Sequence, residues 1–216
     1  MTEHEICFKT MIGSHVWGAE TPQSDKDYYK CYIAPSRDFL IGITHARGHD
    51  SQSKDVDIAS FEIGHVVKQL KKGNLNHIIG VMSDKIEETT PEHVKLREIV
   101  TRNLSKNCYN SIRGMSVHNY KKYLVNRPSK SLDDKAYHKK INQISRVIRF
   151  GITILDGGGV KFRKWPVDSR YQIDDLIEEL DEAYEHSMLP EKPDDDIYDD
   201  FLFDLRMTRL PTMVPL

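Results

Sequence analysis

The first apolar run of the chain, Ile6-Cys7-Phe8-Lys9-Thr10-Met11-Ile12, is short and closed by Gly13-Ser14, which predicts a buried strand ending in a turn. A second strand is expected to begin near Ser24 and to run through Tyr28-Tyr29-Lys30-Cys31-Tyr32-Ile33-Ala34 to a turn at Pro35. Asp38 to Ile43 reads as an extra strand or a turn. His45 to Lys54, rich in Gly, Ser, Asp and His, reads as a loop at a hairpin tip. Over 59–72 the apolar positions Phe61, Ile63, Val66, Val67 and Leu70 predict a helix, with Gly73 at its C-cap. From Thr90-Pro91, an N-cap followed by a residue suited to the first helical turn, the pattern becomes helical. Helices are expected over 91–104, 109–124, 132–155, 173–187 and 196–207. The longest carries Ile141, Ile144, Ile148, Ile152 and Leu155 and stops at Gly157-Gly158-Gly159. Pro190 to Asp196 reads as an acidic linker, and Leu210 to Leu216 as a tail.

This order predicts an α/β (α+β) chain: a mixed sheet with flanking helices, then a helical C-terminal half. The expected organisation is a core over 1–88 and a helical region over 89–216 that completes the active-site cleft. With 216 residues, one large or two small units can each bury a core.

A formal net charge of -2 excludes a global basic field for nucleic acid. Charge is segregated instead, with Lys and Arg abundant over 102–149 and Asp and Glu over 174–204. The acidic stretch 174–185 reads as a solvated helix face whose buried side is Leu176, Ile177, Leu180 and Tyr184. Cys7, Cys31 and Cys108 are too scattered for a disulfide framework, and no His or Cys spacing suits zinc. No signal-peptide pattern and no membrane-length apolar run occurs, so a cytoplasmic protein without membrane partners is expected.

The chemistry concentrates at residues 12–27. Backbone N–H groups at a Gly13-Ser14 turn can cradle phosphate oxygens, and the Ser14 hydroxyl can donate to one. Asp25 and Asp27, spaced i, i+2, project to one side of a strand, where two carboxylates repel unless a cation lies between them. Magnesium, which shares hard oxygen ligands with phosphates, suits such a pair. An Asp-x-Asp after a turn is also common on solvated surfaces. His15 either binds phosphate when protonated or fills the turn. Lys139, Lys140, Arg146 and Arg149 either meet a triphosphate or an RNA backbone, or form a solvated face. Tyr120 and Tyr123 read as core.

The string Gly13-Ser14-x-x-Trp17-Gly18-x-x-Thr21-Pro22-x-Ser24-Asp25-x-Asp27 resembles the signature of the polymerase-beta-like nucleotidyltransferases, and most closely that of the predicted nucleotidyltransferases of RNA-repair pathways (the RNA repair pathway DNA polymerase beta family). Those proteins have arginine where this chain has His15. The likeness continues through Asp55-Val56-Asp57-Ile58 and the Lys72-Gly73-Asn74 turn. A weaker echo lies at Met115–Leu124 and around Arg146 and Arg149, so that about two-thirds of the chain is covered. The resemblance implies three carboxylates around two Mg2+ (or Mn2+) ions, with Asp25 and Asp27 joined by Asp57; Asp55 is the competing choice for the third. Gly13, Ser14, His15, Lys139 and Arg146 are the expected nucleotide-binding residues, and the resemblance implies that Asn74 lies near the site. The implied reaction is transfer of a nucleoside monophosphate from an NTP to a hydroxyl with release of pyrophosphate, and RNA as the expected acceptor. The alternatives are a non-catalytic nucleotide- or RNA-binding module on the same fold, and a nucleotidyltransferase that modifies a protein or tRNA.

Overall fold

A computed structural model of the chain describes residues 4–45, 48–53, 56–125, 134–165 and 171–210. Five strands form one sheet: β1 (Glu5–Met11), β2 (Lys26–Ile33), β3 (Gly48–Ser53), β4 (Val56–Glu62) and β5 (Ile86–Glu88), in the order β3-β4-β2-β1-β5. β2 and β4 are parallel and the other pairs antiparallel, so the sheet is mixed. The helices are α1 (Ser36–Leu40), α2 (Ile63–Lys71), α3 (Leu75–Met82), α4 (Pro91–Arg102), α5 (Asn107–Tyr120), α6 (Asp134–Thr153), α7 (Tyr171–His186) and α8 (Asp195–Met207). The α/β class is as expected.

The chain divides into two units that interleave in sequence. The first comprises Met1–Lys71, Asn76–Asn103 and Asp194–Leu216, and holds the sheet. Its centre is Tyr29, 2% exposed, stacked against Phe61 and Phe8 at centroid distances of 4.9 and 5.8 Å. The Tyr29 hydroxyl lies 2.6 Å from His77 Nδ1 on α3. α3 can sit this close because Gly80 faces the ring, where a Cβ would lie 2.4 Å from Tyr29. Thr10 Oγ1 donates to the Gly80 carbonyl at 2.7 Å, which ties β1 to the same helix. On α4, buried His93 donates from Nε2 to the Val81 carbonyl and accepts from Thr89 at Nδ1, while Arg97 reaches the Val81 and Ser83 carbonyls. These bonds satisfy carbonyls that the end of α3 leaves open. Burial lowers the His93 pKa to about 4. Glu62, 4% exposed at the far end of β4, pairs with Arg206 of α8, which also donates to the Ala34 carbonyl at 3.0 Å. The chain's exit and return are pinned together, since the Asn103 amide group exchanges two hydrogen bonds of 2.7–2.8 Å with the Asp194 backbone.

The second unit, Lys72–Leu75 with Leu104–Pro193, is a bundle of α5, α6 and α7 around Ile112, Ile144, Ile148 and Leu180. Gly73 has φ +66° and abuts the start of α5, where a Cβ would fall 2.5 Å from the Cys108 amide. The buried side of acidic α7 is Ile173, Leu176, Leu180 and Ala183, whereas Ile177 and Tyr184 are half-exposed. Two of its acids are engaged in the bundle: Asp181 receives Arg113 and Tyr109, and Asp174 receives Tyr120.

Several local expectations are corrected. β4 continues through Glu62, so the helix expected from residue 59 starts at Ile63; parallel pairing with β2 extends as far as Tyr32–Glu62 and holds 59–62 extended. Of the two readings of Asp38–Ile43 the turn holds: it is the end of α1 and a turn. Within the polar 45–54 segment, Gly48–Ser53 is an edge strand bonded to β4. α3 and β5 were not anticipated. The parts of the expected segments at 132–133 and 211–216 lie outside the described residues.

Candidate active site

The site grows from the junction of β1 and β2. The Ile12 amide donates to the Asp27 carbonyl at 2.8 Å, carrying the strand pairing one residue past β1. Gly13 then takes φ +67°, and its Cα lies so close to Asp27 that a Cβ would sit 2.2 Å from Asp27 Oδ2. Only glycine meets both demands without strain or clash. A 3-10 turn at His15–Trp17 follows, with the Trp17 and Ala19 amides donating to the Ser14 carbonyl and Val16 and Trp17 turned into the core. Gly18, at φ +60°, ends it. The Thr21-Pro22-Gln23-Ser24 stretch is a closed turn. The Thr21 amide donates to Ser24 Oγ at 2.8 Å, and the Ser24 amide to the Thr21 carbonyl at 2.9 Å. That closure delivers Asp25 to the mouth of β2.

In the parallel β2–β4 register, Asp27 is the direct partner of Asp57. Register partners on neighbouring strands point to the same face, so these two carboxylates stand side by side, with backbones about 4.8 Å apart. By alternation the face is that of Tyr29 and Phe61, beyond the part covered by α2 and α3. Asp27 is half-buried and Asp57 exposed. Two carboxylates leaving one face of neighbouring strands repel, and a cation between them would relieve that repulsion. The donors are hard carboxylate oxygens, which match Mg2+ or Mn2+ in chemistry.

The predicted residues are thus brought together in part. Gly13, Ser14, His15, Asp27 and Asp57 gather at one end of the central strands. Asp25 is exposed immediately before β2. Asp55, the rival third ligand, lies outside the described residues. Among the described residues, no three His, Cys, Asp or Glu side chains converge as a metal-binding group. His15 Nε2 is enclosed without a hydrogen-bond partner. Asn74 belongs to the turn against α5, in the second unit. Lys139, Lys140, Arg146 and Arg149 are on α6 of that unit. Lys139 is exposed, while Arg146 is half-buried, and burial lowers its pKa. Lys140 bonds Gln143 Oε1 at 3.2 Å. Tyr120 is core, but Tyr123 is half-exposed, with Lys122 and Lys140 over its ring.

Sequence reasoning passed over two features. Glu87 on β5 accepts from the Tyr28 hydroxyl at 2.9 Å and from Lys9 at 3.2 Å, on the strand pair that carries Asp27. The Lys161-Phe162-Arg163-Lys164-Trp165 run alternates cations with aromatics, a pattern that a scan for nucleic-acid contacts would flag.

A mixed sheet with a Gly-Ser turn and paired acids on its central parallel strands agrees with the polymerase-beta-like nucleotidyltransferase class, and the family profile shows that class. The chain belongs to the RlaP family, the RNA repair pathway DNA polymerase beta family, whose profile matches residues 1–160. It is also similar to an uncharacterized 38.9 kDa protein in the nrdC-mobD intergenic region of Enterobacteria phage T4, with 47% identity over 34 residues. That match spans 16% of this chain and 10% of the phage protein. A nucleotidyltransferase-like protein from Exiguobacterium sibiricum 255-15, solved by crystallography, aligns over 96% of this chain and 76% of its own with 10% identity and a TM-score of 0.33. No helix among the described residues is long and apolar enough to cross a membrane.

Proposed function

We propose that this chain transfers a nucleoside monophosphate from an NTP to a hydroxyl of RNA. The acceptor oxygen bonds to the α-phosphorus, the bond from that phosphorus to the bridging oxygen breaks, and pyrophosphate leaves; the hydroxyl proton passes to solvent. The observation that carries this reading is the side-by-side register of Asp27 and Asp57 beside the Gly13 turn. Asp25, Asp27 and Asp57 would hold the divalent ions, which supply charge neutralisation on the triphosphate and a lowered pKa for the acceptor hydroxyl. Gly13 and Ser14 would receive the triphosphate through backbone N–H groups and the Ser14 hydroxyl, with His15 adding a donor when protonated. Lys139 and Arg146 would add positive charge. Phosphoryl chemistry of this type needs chiefly position and charge, so a site without a dedicated acid or base suffices.

The test is incubation with each α-labelled NTP, Mg2+ or Mn2+, and separate pools of total RNA, tRNA and protein. Label should enter RNA with release of pyrophosphate, and the Asp27→Asn variant should transfer none. Label entering only protein or only tRNA would select the alternative acceptors. NTP binding without pyrophosphate release in any pool would sink the enzymatic reading and leave a binding module. That second reading is favoured by one observation, His15 with its unpartnered Nε2 in the place of the family's arginine.

A further inference from the structure

The segment after α6 carries the run passed over by sequence reasoning. Between Gly157 and Trp165 it has three cations, Lys161, Arg163 and Lys164, and no acid. Phe162 stacks on the fully buried Phe150 of α6 at 5.4 Å and so anchors the segment to the bundle. From Gly159 to Trp165 the segment has no regular structure, and Arg163 and Trp165, two residues apart, lie together: the Arg163 guanidinium is 3.8 Å from the indole centroid. Arg149, from α6, approaches the same ring at 5.8 Å. Lys161, Arg163 and Lys164 are exposed. Trp165 is half-exposed, yet its polar edge is turned inward, since Nε1 is enclosed. One face of the ring carries the Arg163 guanidinium, so what the pair offers to solvent is the remaining apolar indole surface and an exposed guanidinium plane.

Such a surface is costly to leave idle. An indole partly in water gains nothing from hydration of its face, and clustered cations repel one another. Both costs are relieved by one kind of ligand, a strand that alternates flat bases with phosphates. Bases stack on aromatic and guanidinium planes, while phosphates pair with the cations. A duplex hides its base faces and satisfies only half of this arrangement.

We infer that Arg163 and Trp165 form a stacking platform on the second unit that binds single-stranded RNA, with Lys161 and Lys164 tracking its backbone. The platform's use in holding the acceptor strand rests on the proposed function, but the binding itself does not.

The test uses the full chain and a fluorescein-labelled oligouridylate twelve-mer, followed by anisotropy across a salt series, with unlabelled RNA quenching of tryptophan emission as a second readout. Trp165→Ala should weaken binding about ten- to hundred-fold. Arg163→Gln should weaken binding about ten-fold by removing a stacking plane, and Lys161→Gln and Lys164→Gln should each lower the slope of log affinity against log salt by about 0.7. RNA should quench wild-type emission. In Trp165→Phe, whose remaining Trp17 is buried, the quenching should vanish while most affinity is kept. If Trp165→Ala does not fold, Arg163→Gln, the two lysine variants and Trp165→Phe decide. The inference is overturned if the wild-type chain has no affinity for the strand at low salt, if folded Trp165→Ala and Arg163→Gln bind like wild type, or if an RNA duplex binds equally well. Asp27→Asn separates the two readings: it should bind the strand as wild type does. If no variant or wild-type protein transfers label to RNA but binding and quenching persist, only the proposed function falls. If transfer proceeds and Trp165→Ala and Arg163→Gln bind unchanged, only the platform falls.

Discussion

Replacing Gly13 by alanine perturbs the backbone and the candidate metal ligand at once, and Gly18 separates the two effects. Gly13 sits at φ +67° and Gly18 at φ +60°, so either substitution places an L side chain in the left-handed region, at a cost of about 1–2 kcal/mol. For a chain of this size that lowers the melting temperature by roughly 2–8 °C. The new methyl group at Gly18 meets nothing within 4 Å. At Gly13 it would fall 2.2 Å from Asp27 Oδ2 and 3.1 Å from Cγ, so the carboxylate must swing aside to reach ordinary contact. A displacement on the order of 1 Å at a reacting centre costs about a hundredfold in rate. Gly13→Ala should therefore lose about a hundredfold in nucleotide transfer, while Gly18→Ala, equally destabilised, keeps most of its activity. Thermal melts and pyrophosphate release on both variants at a temperature where both are folded provide the assay. Wild-type turnover in folded Gly13→Ala, or equal losses in the two variants, would refute the argument that Gly13 is there to admit the Asp27 carboxylate.

Asp57→Asn should abolish transfer, by at least about a hundredfold, with stability changed by no more than about 0.5 kcal/mol because the side chain is exposed; activity retained by the folded variant removes Asp57 from the site. Burial holds the folded His93 pKa at about 4, below the ordinary 6.5, so the unfolded chain binds the extra proton between these values. Stability should then be full above pH 6.5 and fall by about 3 kcal/mol as pH drops through 4, a slope in denaturant titrations that His93→Gln should flatten. Arg206→Met should cost about 3–5 kcal/mol by stranding the buried Glu62 charge, and Glu62→Gln added to it should restore part of the loss in urea melts.

Local physics made much of this protein readable from the chain alone. β1 and β2 are apolar runs bounded by turn residues, and α4 opens at Thr90, whose hydroxyl accepts from the His93 amide as an N-cap should. The Gly13-Ser14 turn, the closed Thr21–Ser24 turn and Asp25 and Asp27 are contiguous, so their chemistry is written within one segment. β3 and β5 were hidden because edge strands bury little: Gly48–Ser53 is polar, and Ile86–Glu88 is exposed throughout. Their order comes from backbone bonds to β4 and β1, which no periodicity records. α3 was hidden for the opposite reason, since Gly80, a helix-weakening residue, is needed where the helix meets Tyr29. The family resemblance joins Asp57 to Asp25 and Asp27, but the direct strand partnership of Asp27 with Asp57 lies beyond sequence pattern. It arises because β2 and β4, thirty residues apart in the chain, pair in parallel in one register of several that hydrophobic alternation would permit, and a slip of one residue would turn Asp57 to the other face. Packing of Tyr29, Phe61 and His77 on that face is what selects the register, and so brings the two carboxylates together.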